Sequence, residues 1–307
     1  MKRLLIKLVI FSIPILALII LYPINKRLKY QGLKDDCFNH GIWIHDRIFQ
    51  NNTPINIVFL GSSHTINSIN DELISNKTFI GNAANIGYCR LGSDLNYILL
   101  KETLTQKNPT HIIIEVREDE DRYSHPIFPY VADNKDVLMA NMLFNKDILK
   151  NIWTHFAYNI EMTQDILYKQ QSHIEIKTNN FGFSPIEDTA SSEVLEIFKR
   201  SKAEPKTSLT TLENDFHENF SRVYLKKIYD LCKGENKKIF FLFIPSYGTD
   251  TNIEKPKEYD TYIKYGAVLI PPNEIFSNKK NWHDEHHLNK SGANELSLWL
   301  ITKINNN

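Results

Sequence analysis

Five short apolar runs, each separated from the next by polar or helix-patterned sequence, constrain the fold more than any other feature of this chain. They are Ile55–Leu60, Thr78–Gly81, His111–Val116, Lys238–Ile244 and Ala267–Ile270. Ile57-Val58-Phe59-Leu60 is a nearly continuous apolar run, as a strand buried on both faces would be. Helical patterns lie between the runs, over about His64–Ser75, Leu91–Thr105 and Asp215–Lys233. Leu95, Ile98, Leu99 and Leu104 share a broad helical face, as do Phe216, Phe220, Val223, Tyr224 and Leu231. Gly234 stops the latter helix, and a last one starts at Ser291 with Leu296, Leu300, Ile301 and Ile304. Strands alternating with helices predict an α/β domain: a doubly wound, mostly parallel five-stranded sheet over residues 55–307. The alternation breaks at about 118–214. One or two helices over Asp136–Gln170, a loop at Asn179–Pro185 and a short helix over Ser191–Ala203 read as an insertion able to cover a site.

The N-terminus differs from the rest. Met1-Lys2-Arg3 precedes an apolar stretch from Leu4 to Tyr22, interrupted only by Lys7. That approaches the roughly 20 residues a membrane span needs, and Pro14 is tolerable in such a helix. The run ends Leu21-Tyr22-Pro23-Ile24-Asn25 without the small residues of a cleavage site. An uncleaved anchor over residues 1–30 is therefore expected, with a cleaved signal or a core helix as rivals. The short basic tail would stay inside and the rest of the chain outside. Residues 31–54 read as a connector, with Trp43 and Ile44 able to pack on the domain.

With 36 basic and 36 acidic side chains, the chain gives no reason to expect a nucleic-acid partner. Cys37, Cys89 and Cys232 form neither a disulfide framework nor a zinc pattern. At most one pair could bridge, and three separate thiols is the simpler expectation.

Chemistry concentrates in two segments. Gly61-Ser62-Ser63-His64 follows the first strand, where active sites of parallel sheets form. Trp282-His283-Asp284-Glu285-His286-His287-Leu288-Asn289 precedes the last helix. A serine needs a base within hydrogen-bond reach, and histidine suits because it titrates near neutrality. An Asp three residues before it in one loop can orient the ring. Ser63, His287 and Asp284 are thus the candidate nucleophile, base and acid. Ser62 and His64 are alternatives if the register slips by one, and a turn or capping role for Ser63 is the bland one. A metal on the His283–His287 cluster is disfavoured because adjacent ligands converge poorly on one ion. No cofactor is implied. Glu118-Asp119-Glu120-Asp121 reads as a solvated turn, His283 and His286 as solvated, and Arg90 and Arg117 as ion-paired.

The two segments resemble the first and last blocks of the SGNH/GDSL hydrolase superfamily. Gly61-Ser62-Ser63 matches the Gly-x-Ser turn, with Ser62 where an Asp is common. Asp284-Glu285-His286-His287-Leu288-Asn289 with Gly292-Ala293 matches the final block. The resemblance covers roughly 55–116 and 215–304. It implies a flavodoxin-like sheet and a serine esterase or acyltransferase. The middle blocks depart from the pattern. Arg90 stands at the position of the oxyanion glycine in Asn85-Ile86-Gly87-Tyr88-Cys89-Arg90, and no Asn follows the third strand at Glu115-Val116-Arg117. Arg90, Gly87, Asn85 and Arg117 remain as oxyanion or substrate candidates. Membrane-anchored relatives that acetylate or deacetylate envelope polysaccharides have similarly eroded blocks. The expected substrate is therefore an acyl, most simply acetyl, ester of a cell-envelope glycan, with other envelope polysaccharide-modification proteins as possible partners. The alternatives are an inactive SGNH-fold assembly component and a plain secreted hydrolase.

Overall fold

The computed structural model describes residues 2–21, 25–33, 35–118, 124–139, 144–167, 179–202 and 211–306. Strands β1 (Ile57–Leu60), β2 (Ala83–Asn85), β3 (His111–Val116), β4 (Lys238–Phe243) and β5 (Ala267–Leu269) form one sheet. All pairings are parallel, in the order β2-β1-β3-β4-β5. This is the α/β arrangement of a flavodoxin-like fold. Its topological switch point lies between β1 and β3, which is where such sheets open a crevice at their carboxyl ends.

The helices, in chain order, are α1 (Lys2–Leu21), α2 (Lys26–Gln31), α3 (His40–Phe49), α4 (Ser63–Ser68), α5 (Asp71–Lys77), α6 (Ser93–Gln106) and α7 (Phe128–Val131). There follow α8 (Asn134–Leu138), α9 (Ile148–Leu167), α10 (Ser192–Lys202), α11 (Thr211–Cys232), α12 (Tyr259–Tyr262), α13 (Asn273–Ser277) and α14 (Lys290–Asn305). Alternate strand residues supply two cores. Val58, Leu60, Ile112, Ile114 and Phe241 meet Leu95, Leu99, Leu225 and Ile228 of α6 and α11. Ile57, Phe59, Ile113 and Leu242 meet Phe276 of α13 and Leu296, Leu300 and Ile304 of α14. Each large aliphatic side chain so buried contributes roughly 2 kcal/mol, which is why both helix layers hold to the sheet.

Several expectations change. The second strand is Ala83–Asn85, not Thr78–Gly81: Phe79 is exposed and Gly81 takes φ +125°, so the chain is still turning there. The expected helix over His64–Ser75 is two helices. Ile69 is extended, and Asn70 restarts the helix by accepting from Leu73 N–H at 2.9 Å. Within the 31–54 connector, Trp43 and Ile44 pack on the domain as expected, and Ile48 and the preceding Tyr30 join them in its core. Cys37 and Cys89 form a disulfide and Cys232 is a buried thiol, so three separate thiols was incorrect. Glu118 is not a solvated turn residue. It accepts from Ser246 N–H (2.9 Å) and Thr249 Oγ1 (2.6 Å); Asp119, Glu120 and Asp121 lie outside the described residues. In α1, Leu4, Ile6, Leu8, Ile10, Phe11 and Ile13 are exposed. No helix is long and apolar enough to cross a membrane among the described residues; the side chains of 5, 9 and 15–22, about half of the apolar run, lie outside them.

Candidate active site

The turn after β1 places Ser63 at the first position of α4. Ser62 is the N-cap, its Oγ accepting from His64 N–H at 3.0 Å, so the helix starts at once and Ser63 is lifted to the sheet edge. The facing loop is built from its ends inward. Trp282 and Leu288 are fully buried and bridge each other in antiparallel fashion. His283 N–H donates to His287 O at 2.9 Å, and Asn289 caps α14 by accepting from Gly292 N–H at 3.1 Å. The residues between must therefore protrude toward the carboxyl end of β1.

There the three candidates meet. His287 Nε2 lies 2.9 Å from Ser63 Oγ, and His287 Nδ1 lies 2.9 and 3.0 Å from the Asp284 oxygens. With Nδ1–H facing the carboxylate, Nε2 is left to accept from the serine. Asp284 also accepts backbone N–H groups of His286 and His287, each at 2.7 Å. Partial burial works to raise its pKa, but the His287 bond and these two N–H groups outweigh it and hold the carboxyl well below its usual range. Asp284 is thus ionised wherever His287 can act as a base.

The alternatives in register have other occupations. Ser62 is fully buried, with its hydroxyl on Glu115. His64 is buried beside His286 and His287, at ring separations of 5.8 and 5.3 Å. Burial, then the nearby Arg117 charge, pushes its pKa well down, so it stays neutral. His286 is exposed and 3.1 Å from Ser246 Oγ through Nδ1. No cluster of metal-ligating side chains occurs among the described residues.

A cleft of about 580 Å³ opens over Ser63, His287 and Asp284, walled by Arg90, Phe181 and Phe183 among others. Of the four oxyanion or substrate candidates, only Arg90 lines it. Its φ is +71°, the left-handed conformation for which glycine is favoured, and its guanidinium pairs with Asp36 at 2.7 and 2.8 Å. Asn85 is buried as a tie, its Nδ2 donating to Thr65 O (2.7 Å) and Ile69 O (2.8 Å). Gly87 is packed under the turn, where a Cβ would come within 3.1 Å of Ser62 O. Arg117 bonds Glu115 through Nε at 2.6 Å and also meets Ser62 Oγ. Asn85, Gly87 and Arg117 are therefore framework, not cleft walls. The Ser63 N–H, in the first turn of α4, has no partner among the described residues.

A strap over residues 179–184 forms one rim. Trp43 Nε1 donates to Asn179 O (2.8 Å) and Ser184 N–H to Ile66 O (3.1 Å). The fully buried Asp71 accepts from Gly182 N–H (2.9 Å), Phe183 N–H (3.1 Å) and Asn85 N–H (2.8 Å). Burial pushes its carboxyl up to about 6 against those three backbone donors. Neither Asp71 nor Glu115 was singled out from sequence. For Glu115 the signal was present, as an acid inside an apolar run must find partners.

The chain matches no protein-family model, and no curated protein shows significant similarity to it.

Proposed function

We propose that this protein is a membrane-anchored, extracytoplasmic SGNH-like serine esterase or O-acyltransferase, acting on acyl esters, most simply acetyl, of a cell-envelope glycan. The observation that carries this reading is the Asp284–His287–Ser63 relay, bonded at 2.9–3.0 Å and open to a cleft. Those distances fall within the reach that proton transfer requires.

Ser63 Oγ attacks the ester carbonyl carbon while His287 Nε2 takes its proton. Asp284 stabilises the imidazolium so formed. The tetrahedral adduct collapses, and the departing alkoxide takes the proton from His287. Water or a sugar hydroxyl then gives its proton to His287 and attacks the acyl-serine; the second adduct expels Ser63 Oγ, which takes the proton back from His287, and releases the acid or a new ester. The Ser63 N–H is available to the oxyanion, and Cys89 and Arg90 line the same cleft. One such donor is worth about 3 kcal/mol of barrier.

Two features favour the anchored, external setting. Apolar side chains from Leu4 to Ile13 are exposed on α1 and need a cover that water does not give. The Cys37–Cys89 disulfide suits an oxidising compartment. The test is acetyl release from, or transfer to, envelope glycans by purified full-length protein. Ser63→Ala and His287→Ala should each abolish it; activity retained in both variants would refute the mechanism.

A further inference from the structure

Glu115, at the end of β3, is buried. Taking a carboxylate out of water costs several kcal/mol unless its oxygens are fully bonded. Here they are. Oε2 accepts from Ser62 N–H (2.7 Å), Thr65 N–H (3.2 Å) and Thr65 Oγ1 (2.7 Å). Ser62 Oγ lies 2.8 Å from Oε1 and 2.9 Å from Oε2, and Arg117 Nε donates to Oε1 at 2.6 Å. Gly61 belongs to the same closure, since a Cβ there would lie 2.5 Å from Oε2. The residues on both sides of Ser63 are thus drawn onto one carboxylate. Ser63 lies between them, with its hydroxyl left for His287.

We propose that Glu115 is a positioning residue for the nucleophile, fixing the Gly61–Thr65 turn so that Ser63 Oγ meets His287 Nε2. This rests on the serine-enzyme reading above. Glu115 touches no reacting atom and acts through Ser62 and Thr65. Arg117 neutralises it, so that an unpaired negative charge does not oppose the oxyanion formed close by.

Gln in place of Glu115 keeps the shape but turns an NH₂ toward groups that are already donors. Glu115→Ala vacates the site, and Asp in place of Ser62 then extends a carboxylate by one bond into the space the Glu115 oxygens leave. All are tested on the full-length protein by the rate at which a fluorescent fluorophosphonate labels Ser63, measured against probe concentration, with Tm recorded for each variant. Glu115→Gln should lower the maximal rate on the order of 10- to 100-fold, with the half-saturating concentration little changed. Ser62→Asp added to Glu115→Ala should restore most of the rate that Glu115→Ala loses. Leu300→Ala, which opens a cavity under α14, should lower Tm and leave the rate intact. A wild-type maximal rate in Glu115→Gln, or no rescue in a folded double variant, overturns the proposal. If Glu115→Gln does not fold, Thr65→Val carries the comparison: a slower maximal rate at similar Tm supports the role, and an unchanged rate overturns it. Wild-type protein that takes no label overturns the serine-enzyme reading itself, an outcome distinct from an unaffected Glu115→Gln.

Discussion

Asp284 holds His287 through Nδ1 and its own loop through two backbone N–H groups. Asp284→Asn keeps the shape but presents the wrong hydrogen-bond partner to Nδ1–H. Labelling of Ser63 should fall on the order of 10⁴-fold, with Tm changed far less than by loss of a core side chain. Glu115 carries a second residue-scale prediction, this time for stability. Burial acts to raise its pKa, but Arg117 and the Thr65 and Ser62 bonds outweigh it and bring it down to about 2. The folded value lies below the unfolded one. The contribution is therefore complete above the unfolded pKa and is lost as pH falls from about 4.5 toward 2. Its size is about 3 kcal/mol for a group so buried. Urea titrations of the wild type should show that loss, and Glu115→Gln should show a flatter acid limb; parallel limbs would refute it. The relay was legible in sequence because a Gly-Ser-Ser turn after a strand and an Asp-x-x-His before a helix place their side chains locally. Glu115 was visible only as an acid inside an apolar run; its role was not, because Thr65 and Ser62 lie 50 and 53 residues away and only the β1–β3 pairing brings them to it.

The elements around the site are joined by long-range ties, and each makes its own prediction. Gly182 has no room for a side chain, as a Cβ would lie 1.9 Å from Asn85 O. Gly182→Ala should displace the 179–184 strap and cost about 1–3 kcal/mol. Faster proteolysis within the strap, with the peptide cut identified by mass spectrometry, would report the displacement. The Cys37–Cys89 disulfide closes a separation of 52 residues and joins the segment ahead of α3 to the loop bearing Arg90. Replacing both cysteines by serine should lower stability by up to about 4 kcal/mol on the chain-entropy relation; an unchanged Tm would count against the bond. At this scale the sequence was informative where periodicity is strong. The runs at β1, β3, β4 and β5 and the patterns of α6, α11 and α14 are long or uniformly apolar. β2 was misplaced because Ala83-Ala84-Asn85 carries little β-forming signal, while Thr78-Phe79-Ile80 carries more and forms a turn. The α4–α5 break was hidden because it depends on an Asn70 cap, and the pairing of Cys37 with Cys89 depends on where α3 docks.

For the whole molecule, an all-parallel sheet with its switch point between β1 and β3 explains why the Ser63 turn and the carboxylate bonded to it come from those two strands. The apolar surface of α1 sets a further expectation: full-length protein should remain with the membrane fraction after an alkaline carbonate wash. Recovery in the wash would contradict the anchor while leaving the site untouched. The proposed activity turns on Ser63 being a nucleophile activated by His287. It is tested most directly by treating the full-length protein with a fluorophosphonate and locating the adduct by peptide mass spectrometry. A single adduct is expected on Ser63, lost in Ser63→Ala and strongly slowed in His287→Ala. Absence of any adduct on folded protein, or an adduct on Ser62 or elsewhere that survives Ser63→Ala, would contradict it.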